Sequence, residues 1–320
     1  MAVGTGAGFR LYTKIETVTG TAPTGNFDQV PCFTFTPAGT ISVAQDQILS
    51  SNTSRDAGSP YQDGPMTVTG EARVPLETVH IGKWLRLLLG APTSTGTAPN
   101  LTHVFKSGLD SLPTRAFEKA FPGVPSFYML TGMRANTMTL TSQPRGGADV
   151  TFGLMGFGEA DPTTTSGAGT PVVTPYTRFM RNTGVVKRNG TTLAGVTNAT
   201  ANFSNGMNAA EALRADRRLE DIDLGQATAN GTVTLRYYDD VIQAAAKAFT
   251  ASALELSWTI DANTSIAFAF PQVQFQANGP AVQGPDAITR DFSWQAGNDG
   301  TAGVNLMTVT LKTSTAASTF

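Results

Sequence analysis

The residues of this chain whose types could do chemistry are few and scattered. Glu220, Asp221 and Asp223 set three carboxylates close together. Carboxylates so grouped are hard oxygen ligands of the kind calcium takes, but the spacing lacks the long loop and closing Glu of an EF-hand. Arg214, Asp216, Arg217 and Arg218 stand beside them, so the segment reads as a charged, ion-paired loop. His80 and His103 are too isolated to pair into a proton relay and read as structural hydrogen-bonders. Trp258 and Trp294 could be stacking platforms for sugars, with carboxylate pairs as acid and base. Both alternate with polar neighbours, in Leu254–Ile260 and Phe292–Trp294, which favours packing in a core or an interface. The single cysteine, Cys32, lies in the strand-like run Pro31–Phe35 and reads as a small buried hydrophobe. Gly4-Thr5-Gly6-Ala7-Gly8 precedes the first strand-like run instead of following one, so it reads as an N-terminal arm and not as a dinucleotide fingerprint. The chain has no Gly-x-Ser-x-Gly elbow, no His-Glu-x-x-His and no phosphate loop ending in Gly-Lys-Ser/Thr. No catalytic residue, metal site or cofactor is expected.

Composition points the same way. Of 320 residues only 14% are charged, against about 25% in ordinary soluble domains. Lys+Arg 22 against Asp+Glu 24 leaves a formal net charge of −2, which argues against a nucleic-acid binder working by bulk positive charge. Neutral polar surface, rich in Thr and Gly, suits contact with other subunits, because interface cores are depleted in charge. One cysteine rules out an internal disulfide framework. No apolar run is long enough to span a membrane, and the N-terminus does not read as a secretory signal. Asn-x-Ser/Thr sequons such as Asn52-Thr53-Ser54 and Asn198-Ala199-Thr200 read as compositional in a Thr-rich chain.

The elements that must position these residues are mostly strands. Alternation of apolar and polar residues marks Thr67–Val74, Asn136–Thr141, Thr232–Leu235, Val273–Gln276 and Asn305–Leu311. Asn189-Gly190 between short apolar runs is a type I′ hairpin signal. Ile81, Trp84, Leu85 and Leu88 share a helical face, with Glu77-Thr78 as a cap and Gly90 as a stop. A second helix is predicted from Val241 to about Phe249, with Ile242, Ala245, Ala246 and Phe249 on one face and Asp239-Asp240 at its positive end.

These helices expose an internal repeat. Gly64, Gly70, Val74 and Ile81 recur as Gly225, Gly231, Leu235 and Ile242 at a constant offset. Before each unit a strand leads into a long polar loop: Ile41–Leu49 into Ser50–Asp63, and Val196–Phe203 into Asn205–Asp223. After each helix comes a pair of strands, Ala135–Thr141 with Asp149–Gly156 and Pro271–Ala277 with Ile288–Ala296. The expected fold is mainly β, with two tandem β-sandwich or barrel-like modules, each flanked by one α-helix. The boundaries fall at residues 1–160 for the first module with its N-terminal arm, 161–174 for a turn-rich linker and 175–320 for the second module. The mixed-sign charges of the two polar loops look like a device that sets register between partners.

Ile15-Glu16-Thr17-Val18-Thr19-Gly20-Thr21-Ala22-Pro23 resembles the Glu-Thr-x-x-Gly-Thr-x-Pro opening of tail tube proteins of long-tailed bacteriophages. The likeness continues through Val68-Thr69-Gly70, the helix ending in Leu89-Gly90, His103-Val104-Phe105, Leu112-Pro113-Thr114 and Gly284-Pro285-Asp286-Ala287-Ile288. The resemblance implies a non-enzymatic building block of the virion tail, made in the bacterial host cytoplasm. Its sheets would pair side by side around a ring, its rings would stack through the long loops, and the tube would conduct the genome. The implied partners are further copies of the chain, a tape-measure protein, a tail terminator and baseplate proteins, with passive contact to DNA in the lumen and no membrane insertion. Simple members form rings of six single modules, so a chain of two modules implies a trimeric, pseudo-hexameric ring. The implied inter-ring contacts are Arg55, Asp56 and Asp63 in the first loop and Arg214, Asp216, Arg217, Arg218, Glu220, Asp221 and Asp223 in the second. Another tail or decoration protein and, further off, a carbohydrate-binding β protein are the alternatives.

Overall fold

The computed structural model describes residues 3–48, 58–282, 284–298, 300–301 and 304–320. The chain is mainly antiparallel β. Its first part runs β1 (Arg10–Ile15), β2 (Asp28–Gln29), β3 (Thr34–Phe35), β4 (Ala38–Ala44), β5 (Tyr61–Pro75), helix α1 (Ile81–Leu89), β6 (Thr93–Thr97), β7 (Asn100–Lys106), β8 (Arg115–Phe121), β9 (Ser126–Ser142), β10 (Asp149–Gly156) and β11 (Gly158–Glu159). The second runs β12 (Gly184–Arg188), β13 (Thr191–Thr192), β14 (Val196–Ser204), β15 (Asn208–Ala210), β16 (Asp221–Asp223), β17 (Thr228–Arg236), helix α2 (Val241–Lys247), β18 (Ser252–Asp261), β19 (Thr264–Phe275), β20 (Thr289–Ala296) and β21 (Thr308–Thr313).

The strand pairing repeats. In the first part the order across the sheet is β4–β5–β10–β9–β8. In the second it is β14–β17–β20–β19–β18. The recurrent glycines hold matching places, with Gly70 opposite Leu154 and Gly231 opposite Trp294. A side chain at either glycine would run into the neighbouring strand's backbone, at Pro37 or at Thr200, so close strand approach explains the glycine in both copies. The two runs join in one sheet, because β9 pairs β14 in register from Thr137–Ser204 to Ser142–Ala199. A second junction pairs β21 with β7, which belongs to the β6–β7 hairpin that only the first part carries.

Both helices cover sheet faces. Trp84 of α1 stacks between Phe117 of β8 and Phe152 of β10, at ring-centroid distances of 5.3 and 5.5 Å. Phe320 lies over Gly82, where a Cβ would meet the ring at 2.5 Å, and its carbonyl accepts from Arg86 Nη1 at 2.9 Å. In the second part Phe270 packs on Trp294 at 4.8 Å and Trp258 meets Phe268 edge-on. Trp258 and Trp294 are both buried, so neither presents a face to a sugar. The alternating runs lie within β5, β9 and β17. The Asn189-Gly190 turn joins β12 to β13 with φ of 48° and 77°, the left-handed pair a type I′ turn needs.

Several boundaries differ from expectation. The strand expected at Ile41–Leu49 is β4, Ala38–Ala44, and β5 begins at Tyr61, so Asp63 is a strand residue opposite Ser42 and not a loop residue. Within Asn205–Asp223 the small hairpin β15–β16 forms. Helix α2 ends at Lys247, and Phe249, with φ of 52°, is exposed instead of sharing the buried face. Val273–Gln276 and Asn305–Leu311 mark β19 and β21 with their ends shifted. The turn-rich 161–171 stretch lies along the first part, with Thr163 bridging Phe127 and Ala168 buried beside Phe27 and Ala116.

Candidate assembly interface

The second polar loop is seated on the first repeat. At the end of β14, Asn205 Nδ2 donates to the Leu88 carbonyl of α1 at 2.9 Å and to the Ala135 carbonyl of β9 at 3.2 Å. Asn205 therefore occupies a helix C-terminal carbonyl that has no partner within the helix. The next step is fixed by Asn136, whose carbonyl accepts from Asn205 N at 2.8 Å and whose Oδ1 accepts from Met207 N at 3.0 Å. The hairpin then buries Met207, Leu219 and Ile222 against Leu112 and Phe157 of the first repeat, in a hydrophobic cluster separate from the main core. Arg134, mostly buried, donates through Nη1 to Asp221 Oδ1 at 2.8 Å and to the Ile222 carbonyl at 2.6 Å. Its guanidinium also lies 5.7 Å from the Phe157 ring centre. Arg218 donates to the Gly20 carbonyl at 3.1 Å and to Thr131 Oγ1 at 2.8 Å.

The floor of this seat is tied by Glu16, from the Ile15–Pro23 segment. Its carboxylate accepts from Gly20 N at 2.7 Å, from Thr114 Oγ1 at 2.7 Å and from Gly132 N at 2.8 Å. One side chain thus joins the β1–β2 loop, the β7–β8 loop and β9. Charge-assisted bonds of this kind are the stronger class of hydrogen bond.

The expected contact residues divide between the seat and the tip. Arg218 and Asp221 reach the first repeat as described. Arg214, Asp216 and Glu220 form an exposed ion cluster, with Arg214 bonded to both carboxylates. The hydrogen bond from Arg214 holds the Asp216 carboxyl well below the usual carboxylate range and lifts the guanidinium above its ordinary value. Arg217 has an exposed side chain, while its carbonyl accepts from Met66 N at 2.8 Å. Asp223 is exposed on β16, and Asp63 is exposed on β5, where the following Gly64 and Pro65 line a cavity with Arg214 and Arg217. Arg55 and Asp56 lie outside the described residues. Sequence reasoning missed Glu16, Leu112, Arg134, Asn136, Phe157 and Asn205 as interface residues. Glu16 was visible in the quoted motif. The others are ordinary residues of strand or loop, significant only through what they touch across the fold.

The titrating groups elsewhere serve packing. Burial at the start of α1 lifts Glu77 to about 7, against the pull of backbone N–H groups that bond its carboxylate. Those include Val79 N at 2.7 Å and Ile81 N at 2.6 Å, so Glu77 caps the first turn. Burial lowers His80 to about 4. It also lowers Lys83, whose Nζ meets Asp28 Oδ2 at 2.5 Å. None of the larger described cavities is lined by Glu77, His80 or Lys83. His103 bonds Ser94 Oγ and the Thr315 carbonyl. Cys32 is partly buried against the core, and burial raises its thiol to about 11, far from a reactive thiolate.

The fold and this interface define a structural β protein whose strand order occurs twice and whose second polar loop is seated on the first repeat. The family model for phage tail tube proteins matches residues 6–296, and the chain belongs to that family. It matches no curated protein.

Proposed function

We propose that this chain is the repeating subunit of a bacteriophage tail tube. Residues 1–160 and 175–320 act as two modules joined by the 161–174 linker, and three chains close a pseudo-hexameric ring. The rings stack into a hollow tube that conducts the genome into the host. The observation that carries this reading is the β9–β14 junction, where one run of the repeated strand order continues into the next by backbone pairing. A repeat that pairs with its successor in this way propagates until the rotation closes. At the outer end of the first repeat, Gly39 N donates to Glu159 Oε2 at 2.5 Å, Lys119 Nζ donates to the Pro37 carbonyl at 3.1 Å, and Lys119 and Glu159 pair at 2.6 Å. An ion pair of this kind shields a sheet edge from indiscriminate pairing before assembly.

Stacking falls to the exposed charges that the seat leaves free, Arg214, Asp216, Arg217, Glu220 and Asp223 of the second polar segment, together with Arg55, Asp56 and the strand residue Asp63 of the first. Mixed signs favour one axial register over others. A tube without a net basic excess lets DNA slide, because tight phosphate binding would need released counterions and clustered cations. The chain does this work without catalysis. It is made in the host cytoplasm and ends in the virion tail beside tape-measure, terminator and baseplate proteins. Negative-stain electron microscopy of the purified protein tests the reading. Long hollow tubes are expected, and monomers or isolated rings at every concentration would refute it.

A further inference from the structure

The first repeat is covered by its own chain at a place where the second lies open. On the first repeat, Leu76 N donates to the Ala148 carbonyl at 3.0 Å just beyond the paired ends of β5 and β10. The segment Val172–Phe179 lies across this end as a strap. Val172 bridges Asp28 of β2, and the Thr177 carbonyl accepts from Thr78 N at 3.1 Å. Phe179 donates to the Leu76 carbonyl and accepts from Ala148 N, each at 2.9 Å. Leu76, Glu77 and Phe179 are all buried.

The second repeat ends in the same way but has no strap. Counted from Gly70 opposite Leu154 and Gly231 opposite Trp294, Leu76 and Glu77 correspond to Tyr237 and Tyr238, and Ala148 corresponds to Ile288. Tyr237 N donates to the Ile288 carbonyl at 2.9 Å, as Leu76 N does to Ala148. The Tyr237 carbonyl and the Ile288 N–H find no backbone partner among the described residues. Tyr237 and Tyr238 are 39% and 66% exposed. With Leu193, Val241 and Ile242 they line an open cavity of about 460 Å³ at the start of α2.

The strap is the lead-in to β12, and β1 has a lead-in of the same form. Strand β12 pairs β18 and β13 as β1 pairs β8 and β2. One 3₁₀ turn precedes each, Arg181–Thr183 and Gly6–Gly8. Thr183 N donates to the Met180 carbonyl at 3.2 Å, and Gly8 N donates to the Thr5 carbonyl at 3.0 Å. Val3, Gly4 and Thr5 therefore hold the places of Arg178, Phe179 and Met180. Val3 is 81% exposed.

We infer that Val3–Thr5 of a second copy of the chain strap the open end of the second repeat. Gly4 N donates to the Tyr237 carbonyl, the Gly4 carbonyl accepts from Ile288 N, and Val3 covers Tyr238. Two apolar side chains that stand in solvent on the single chain then shield each other, and two unpaired backbone groups gain partners. The inference rests on the ring reading above, because a laterally adjacent copy stands to the second repeat as the second stands to the first.

Cysteine cross-linking tests it in a Cys32→Ser background. Arg178 bridges Glu77 and Met180 bridges Gly147, both antiparallel. Position 3 of one copy should therefore face position 238 of the next, and position 5 should face position 287. Residues directly opposite in such pairs stand about 4.5–5.5 Å apart, within reach of a disulfide. Chains carrying Val3→Cys are mixed with chains carrying Tyr238→Cys, and chains carrying Thr5→Cys with chains carrying Ala287→Cys, then assembled and oxidised. The expected result is a covalent dimer in each mixture that neither variant gives alone. In tubes of the unmodified chain, the Ile288 amide should also exchange more slowly than in unassembled chains. Tubes that yield no dimer from either pair, or that leave Ile288 exchange unchanged, overturn the strap and leave the tail tube reading intact. An unmodified chain that forms no tubes overturns both.

Discussion

Removing Arg134 tests how the second loop is held on the first repeat. In Arg134→Met the aliphatic stem still packs on Phe157, but the bonds to Asp221 and to the Ile222 carbonyl are lost. Asp221 is about half exposed at 53%, so water takes over much of its charge and the pair is discounted towards surface values. The Ile222 carbonyl is the costlier loss, since a hydrogen bond to a charged donor contributes about 1.5–3 kcal/mol. The apolar cluster of Met207, Leu219 and Ile222 remains, so the expected effect is local opening of residues 207–223 and not global unfolding. An opening free energy lower by about 1.5–3 kcal/mol raises the open population roughly tenfold to a hundredfold. Trypsin reports on this directly, because Arg214, Arg217 and Arg218 lie on the loop. Limited digestion read by mass spectrometry should show faster cleavage at those three arginines, with other sites unchanged. Equal cleavage rates in the variant and the parent would refute the assigned role of Arg134.

Phe320→Ala should destabilise by about 3–5 kcal/mol, the range for a truncated buried aromatic, since the ring is 2% exposed over Gly82 of α1; a urea midpoint within error of the parent would contradict it. Glu16→Ala removes the shared acceptor of Gly20, Thr114 and Gly132 and should cost about 2–4 kcal/mol through orphaned donors, with faster amide exchange at Gly20 and Gly132 as the signature. The start of α1 makes stability depend on pH in two opposed ways. His80 falls from 6.5 to about 4 on folding, so its contribution is complete above pH 6.5 and is lost as pH falls through 4. Glu77 rises from 4.5 to about 7, so its contribution is complete below pH 4.5 and is lost as pH rises through 7. Each is worth about 3 kcal/mol at most. Between pH 7 and 4.5, His80→Gln should therefore gain stability relative to the parent as pH falls, and Glu77→Gln should lose it. Parallel urea midpoints for all three proteins across that range would refute both assignments.

The β class, both helices and the recurrence of Gly64 through Ile81 were legible because they depend on local period and on glycines forced by close strand approach. Gly70 and Gly231 announce the repeat because each sits against a neighbouring backbone. The ends of β4 and α2 were misplaced for local reasons. Ile41 and Val43 continue an apolar alternation although they face solvent here, and Phe249 continues a helical stripe after the helix has ended. The seat of the second loop was not legible at all. Arg134, Asn136 and Asn205 have their partners 70 or more positions away in the chain, and nothing in local spacing reveals such contacts. The carboxylates of Glu220–Asp223 stand out as charges, while their loop is anchored mainly by Met207, Leu219 and Ile222.

The most direct test of the account is the cross-section of an assembled tube by cryo-electron microscopy. The account gives each ring three chains and six lobes, alternating between two slightly different modules, with the β6–β7 hairpin marking every other lobe. A ring of six chains, or one in which each chain contributes a single lobe, would contradict it.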